Sequence, residues 1–170
     1  AVVIDGSSTA TTVIGGSGGT TITGTENPDY IDGRAGDDDI DASAGNDTIV
    51  YDSTDTSING GTDTDTLLVL DGTLNLSNVS DISNIEVIEL GPTALIDGIT
   101  AADVITTTTT TDGNSELIIN SADGNDLSGQ VTNLDTLLAY TGDVDGYAQY
   151  QYTEGDATTT LLIEIPIDYV

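Results

Sequence analysis

The chain has 170 residues, with 30 Asp plus Glu set against a single basic residue, Arg34, and a net charge of −29. Self-repulsion of that size opposes a compact state unless cations offset it, and it excludes nucleic acid and anionic membrane surfaces as partners, because neither finds Lys or Arg to pair with. Cys, His and Met are absent, which removes disulfide staples and the usual ligands of zinc, copper and haem while leaving abundant hard oxygen donors of the kind Ca²⁺ takes.

Acidic, aromatic-poor chains are often disordered. Here 36% of residues are hydrophobic and only 18% charged, and the Ile, Leu and Val recur at regular intervals. Thr, Ile and Val favour strands, whereas Gly, Asn and Asp favour turns, so the composition predicts an all-β chain. No stretch reaches the about 18 apolar residues of a membrane span, and no membrane insertion is expected. The start, Ala1-Val2-Val3-Ile4-Asp5, lacks the basic region and apolar run of a secretory signal peptide and reads as if cut from a longer chain.

From Gly6 the chain divides without a gap into seven units of nine residues: GSSTATTVI, GGSGGTTIT, GTENPDYID, GRAGDDDID, ASAGNDTIV, YDSTDTSIN and GGTDTDTLL. Position eight is always aliphatic: Val13, Ile22, Ile31, Ile40, Ile49, Ile58 and Leu67. Position one is Gly in five units; position six is Asp29, Asp38, Asp47 and Asp65 in four and Thr in three. Six turn-forming residues followed by three strand-forming ones predict a tight turn and a short strand with its middle side chain inward. Two units make one coil, and stacked coils pair their strands in parallel over a ladder of Ile and Val. Units n and n+2 then share an edge. Asp29, Asp47 and Asp65 fall on one edge, and Asp38 on the other between Thr20 and Thr56. Stacked carboxylates repel unless a cation lies between them.

This pattern, G-G-x-G-x-D-x-aliphatic-x, resembles the RTX nonapeptide of secreted bacterial toxins, proteases, lipases and adhesins. The resemblance implies a right-handed parallel β-roll holding several Ca²⁺ ions between stacked turns. It implies one site from Asp29 and Asp47 with the carbonyls of Thr25, Asn27, Ala42 and Ala44, and a second from Asp47 and Asp65 with those of Ser43, Gly45, Gly60 and Thr62. Asp38 has only Thr20 or Thr56 as its counterpart, which implies weaker or incomplete sites on that edge. YDSTDTSIN departs most from the pattern and reads as a loop interrupting the roll. A metal-free, Thr-rich solenoid is the competing reading, strongest for the first two units.

After Leu70 the nine-residue phase is lost, which divides the chain into a roll over 1–70 and a β-rich capping segment over 71–170. Ser83–Gly91 (SNIEVIELG) predicts a strand with Ile85 and Val87 on one face and Ile88 and Leu90 nearer the other. Thr100-Ala101-Ala102-Asp103 fits the cap of a short helix, and Thr106–Thr111 an exposed strand or extended loop. Glu116–Asn120 (ELIIN) predicts another strand, and Val131–Tyr140 fits helix or strand. Tyr147–Thr153 and the TTTLLIEIPI run predict a hairpin turning at Glu154-Gly155-Asp156. Two acidic clusters, 123–126 and 143–146, read first as Asx-type turns. The second has the D-x-D-G look of a calcium loop, but Tyr152 stands where that motif needs Glu.

The order of these segments resembles the end of giant RTX adhesins, more loosely than the repeats do. That resemblance implies an uncleaved secretion signal near LLIEIPIDYV, read by the ABC-transporter of a type I secretion system. It further implies a secreted, monomeric product at the surface of a Gram-negative bacterium. Catalysis is not expected: there is no His or Cys, no Lys for a P-loop and no G-x-S-x-G elbow. Carboxylate pairs could serve a glycosidase, but these are periodic and turn-borne, as metal ligands are. The alternatives are a module gripping ice, polysaccharide or a cell, and a surface-layer component assembling with Ca²⁺.

Overall fold

Three extended residues per unit are enough for a strand when the middle one can be buried, and this sets the architecture. The computed structural model describes residues 2–3, 9–76, 82–100, 115–122, 127, 130–132, 138–144, 147–154 and 157–164. The described part of the repeat region comprises β1 (Val2–Val3), β2 (Thr12–Ile14), β3 (Thr21–Thr23), β4 (Tyr30–Asp32), β5 (Asp39–Asp41), β6 (Thr48–Val50), β7 (Ser57–Asn59) and β8 (Thr66–Val69). Alternate strands belong to opposite sheets, so each coil crosses the roll twice. Val13 pairs in parallel with Ile31, Ile31 with Ile49 and Ile49 with Leu67. Ile22 pairs with Ile40, and Ile40 with Ile58, in the facing sheet. All seven position-eight side chains are 2% exposed or less. Their neighbours Thr12, Ile14, Tyr30, Asp39 and Asp41 face solvent. The fold is a parallel β-roll, and the described residues contain no α-helix and none long and apolar enough to cross a membrane.

The YDSTDTSIN unit does not interrupt the roll, contrary to expectation. Its strand β7 stays in register, Asp39 pairing with Ser57 and Asp41 with Asn59. The strand triplet Ser-Ile-Asn keeps the buried aliphatic, and that sets the pairing whatever the turn contains.

The sheets also run on where the nine-residue phase ends. β9 (Thr73–Leu74), β10 (Ile82–Ser83), β11 (Val87–Leu90), β12 (Leu95–Asp97), β13 (Ser115–Ser121), β14 (Val131–Thr132), β15 (Ala139–Val144), β16 (Tyr147–Glu154) and β17 (Ala157–Glu164) follow. One sheet is continuous from β2 through β4, β6, β8, β11, β13 and β17 to β16 and β15. Leu67 pairs with Ile88, Ile88 with Ile119, and Ile119 with Ile163, all in parallel. The facing sheet runs β1-β3-β5-β7-β10, and β9-β12-β14 form a third, parallel sheet. The chain from β8 to β11 therefore visits three sheets before it returns, and the coil there is longer and three-sided. Leu74, Ile85, Ile88, Leu90, Ile96, Ile99 and Leu117 continue the buried ladder, each fully buried.

Ile85 precedes β11 and is buried with Ile88 and Leu90, while Val87 is only half-buried. The expected sharing of a face by Ile85 and Val87 is thus corrected: Ile85 belongs to the turn rather than the strand. The terminal hairpin is present, with β16 and β17 antiparallel from Tyr147↔Glu164 to Glu154↔Ala157. β13 contains ELIIN as expected, and Val131–Thr132 and Ala139–Tyr140 are strand. The helix cap beyond Thr100, the Thr106–Thr111 run, the 123–126 cluster, residues 145–146 of the second cluster and the end of the chain beyond Glu164 lie outside the described residues.

Candidate metal centre

The turns that join the strands stack along the two edges of the roll, and position six ends each turn just before its strand. On the first edge this builds a ladder of carboxylates. The Thr11 amide donates to Asp29 Oδ1 (2.8 Å), the Asp29 amide to Asp47 Oδ1 (2.7 Å), and the Asp47 amide to Asp65 Oδ1 (2.8 Å). Each acid therefore reaches back one coil to the amide of its counterpart. On the second edge the Thr20 amide donates to Asp38 Oδ1 (2.6 Å). Asp29, Asp38, Asp47 and Asp65 are all buried, between 0% and 4% exposed.

The second oxygens distinguish these sites from ordinary capped turns. Asp29 Oδ2 accepts the Thr25 amide (2.7 Å). Asp38 Oδ2, Asp47 Oδ2 and Asp65 Oδ2 are buried with no hydrogen-bond partner. Oδ2 of Asp38 and of Asp65 folds back over the glycine that opens its own turn: a Cβ on Gly33 would lie 2.7 Å from the first, and one on Gly60 would lie 2.6 Å from the second. A side chain at Gly33 or Gly60 would displace the carboxylate. A buried carboxylate oxygen without a donor costs on the order of a few kcal/mol.

Three successive turns bring the remaining expected ligands together. Ala44 N donates to the Thr25 carbonyl (3.2 Å), Gly45 N to the Thr62 carbonyl (3.2 Å), and Thr62 N to the Ser43 carbonyl (3.0 Å). The Asn27 carbonyl accepts the Thr25 hydroxyl (3.3 Å). A Cβ added to Gly24 would collide with the Ala42 carbonyl. Ser43 and Gly45 adopt φ of 81° and 114°, the left-handed geometry that turns successive carbonyls to different sides of the loop. Asp29, Asp47 and Asp65 thus share one edge with Thr25, Asn27, Ala42, Ser43, Ala44, Gly45, Gly60 and Thr62, and Asp38 stands on the other. Among the described residues no three acids converge as a ready-made cluster, so a cation here would complete its shell from main-chain carbonyls.

The electrostatics match. Burial first, and then the neighbouring Asp65, Asp29 and Asp63, raise the Asp47 carboxyl to about 7. Burial, followed by Glu86 and Asp63, raises Asp65 to about 6. Arg34, the one basic side chain, is exposed, so neutralisation of the ladder falls to protons or an external cation. Oxygen-only donors that are anionic, stacked and partly unpartnered suit a hard cation with a large shell, which is Ca²⁺ rather than a transition metal.

Two acids of the site were not foreseen. Glu86 extends the first-edge ladder, its Oε2 accepting the Asp65 amide (2.9 Å). Its turn is short: Ser83 pairs with Asn59 and Val87 with Thr66, so only Asn84, Ile85 and Glu86 stand where a repeat has six residues. The extra methylene of Glu spans the gap. The signal was an acid directly ahead of a strand triplet, as in Asp47-Thr48-Ile49. The other acid is Asp55, at position five of the divergent unit; burial first, then Asp38 and Asp52, raise it to about 7.

Residues 14–49 match the family of the RTX calcium-binding nonapeptide repeat, in 4 copies. These repeats bind Ca²⁺, several ions across a set, and they build a β-roll. No curated protein and no solved structure matches the chain.

Proposed function

We propose that this chain is a module that folds on Ca²⁺ after export from the cell. The observation that carries the reading is the set of buried carboxylates with unpartnered second oxygens, Asp38 and Asp47 inside the residues that match the RTX repeat and Asp65 beyond them. Where Ca²⁺ is scarce, as in a cytosol, the −29 charge keeps the chain open and able to thread a channel. Where Ca²⁺ is plentiful, ions bind the stacked turns of the folded state and stabilise it by mass action. Asp29 with Asp47, and Asp47 with Asp65, hold the first-edge ions together with carbonyls of Thr25, Asn27, Ala42 and Ala44 and of Ser43, Gly45, Gly60 and Thr62. Asp47 serves both sites.

On this reading the export route is a type I system with its ABC-transporter, the product is a monomer outside a Gram-negative cell, and the parent is a large adhesin-like protein. The module itself performs no catalysis. Support comes from the family's secreted character and from the resemblance of residues 80–170 to the strand order of large RTX adhesins.

Expression in a Gram-negative host with a type I exporter for RTX proteins tests the reading. The chain is expected in the medium only when the transporter is active, and protease-resistant there only with Ca²⁺. Retention in cells with a working exporter would remove the export half of the proposal.

A further inference from the structure

The chain holds a single Asn-Gly pair, Asn59-Gly60, where β7 passes into the turn that leads to Asp65. Asn-Gly is the dipeptide most prone to lose its side-chain amide. The Gly nitrogen attacks Asn Cγ, a new N–Cγ bond forms, the Cγ–Nδ2 bond breaks, and ammonia leaves with the proton of the attacking amide. Water then opens the succinimide ring to aspartate or isoaspartate. Gly favours the closure because it has no Cβ and lets the backbone adopt the conformation the ring needs. The roll blocks this chemistry on every side. Gly60 is buried, and its amide donates to the Ser83 carbonyl (3.0 Å), which holds the proton that would have to leave. The Asn59 carbonyl accepts the Ala42 amide (2.9 Å) on the opposite flank. Asn59 Oδ1 accepts Asn84 Nδ2 (2.6 Å) and Ser83 Oγ (3.4 Å), and Asn59 Nδ2 donates to Asp41 Oδ1 (3.5 Å). The products do not fit where the amide does. A Cβ on Gly60 would collide with the Asn84 carbonyl and lie 2.6 Å from Asp65 Oδ2, so there is no slack for the extra backbone methylene of isoaspartate. Aspartate would replace the donor that faces Asp41 by a second carboxylate.

We propose that Asn59-Gly60 is a self-modification site that times the unfolded state: the open chain converts Asn59 to isoaspartate and aspartate, the roll protects it, and a converted chain no longer builds the turn that carries Gly60 and Asp65. A chain left open too long is thereby withdrawn from the pool able to fold. The timing rests on the proposed Ca²⁺-dependent folding, whereas the protection of Asn59 by the roll stands apart from it.

The test holds the full 170-residue chain at mildly alkaline pH in three ways: in Ca²⁺, in chelator, and in urea. Peptide mapping by mass spectrometry follows the amide-to-acid mass gain at residue 59, which isomerisation at the Asp-Gly pairs does not produce, and enzymatic methylation counts isoaspartate. Conversion is expected in urea and in chelator, and at least tenfold slower in Ca²⁺. Samples aged in chelator are then titrated with Ca²⁺ and read by far-UV circular dichroism. The converted fraction is expected to stay unfolded or to need several-fold more Ca²⁺. Asn59→Ser and Asn59→Gln, each compared only with its own fresh sample, are expected to lose nothing on ageing. Equal conversion in Ca²⁺ and in urea would overturn the protection. Full conversion that leaves the Ca²⁺ midpoint unmoved would overturn the timing role. A chain that converts in urea but is as protected in chelator as in Ca²⁺ would overturn the Ca²⁺-dependent folding, and the timing with it, while leaving the protection in place.

Discussion

Replacing Asp47 by asparagine is predicted to push the protein in opposite directions with and without Ca²⁺. Asp47 is 1% exposed, and its carboxyl rises from 3.8 to about 7, burial being the largest cause. The folded value lies above the unfolded one, so this group favours the fold below 3.8 and that contribution is gone above about 7. At pH 8 the charged carboxylate therefore costs the Ca²⁺-free roll on the order of 4 kcal/mol, at about 1.4 kcal/mol per tenfold change. Asparagine keeps an oxygen for the Asp29 amide, which Asp47 Oδ1 accepts at 2.7 Å, while shedding the charge. In chelator, Asp47→Asn should fold at a lower concentration of a stabilising osmolyte such as trimethylamine N-oxide, read by far-UV circular dichroism. With Ca²⁺ the same change removes a charged ligand from both proposed first-edge sites. At roughly 1.5–3 kcal/mol for a charged hydrogen-bonding group, the Ca²⁺ midpoint should rise about tenfold or more. A variant that is harder to fold in chelator as well would refute the reasoning, because it would make the Asp47 charge favourable in the empty roll.

The other outcomes follow from the same structure. In chelator, lowering the pH from about 8 to about 4 should increase β-structure, because Asp47 and Asp55 at about 7 and Asp65 at about 6 all become neutral; a spectrum that loses β-content on acidification would contradict this. Ile49→Ala should cost roughly 3–4 kcal/mol in urea unfolding at saturating Ca²⁺, because Ile49 is fully buried between Ile31 and Leu67, whereas exposed Asp39→Ala should cost little. Gly45→Ala should cost about 2 kcal/mol or more in the same assay, since Gly45 has φ 114° and its Cβ would lie 2.6 Å from the Asn27 carbonyl carbon.

The roll was legible as far as Leu67 because strand, turn and burial share one period there. Ile49 marks a strand, Gly45 a turn and Asp47 the end of that turn, each nine residues from its like. The stacking of Asp29, Asp47 and Asp65 on one edge follows from that phase alone. YDSTDTSIN misled because its first five positions were weighed, whereas Ile58 alone fixes its register. Beyond Leu70 the coils differ in length, from Leu67 to Ile88 and then to Ile119, and parallel pairing at unequal separations leaves no period to read. Glu86 went unseen for that reason, although it lies one residue ahead of a strand as Asp47 does. The closing hairpin was legible because alternation in YAQYQYT and the turn signal Glu154-Gly155-Asp156 are both local. Ile85 was misassigned because a buried turn residue looks like a strand residue when turns shorten.

The central claim is that Ca²⁺, and not the sequence alone, makes the roll. Far-UV circular dichroism of the purified chain, titrated with Ca²⁺ from chelator to about 10 mM beside an equal Mg²⁺ titration, tests it most directly. A cooperative change from a coil spectrum to a β spectrum with Ca²⁺ and not with Mg²⁺ is the predicted result. A spectrum already β in chelator and unmoved by either ion would contradict the account and leave a metal-free solenoid in its place.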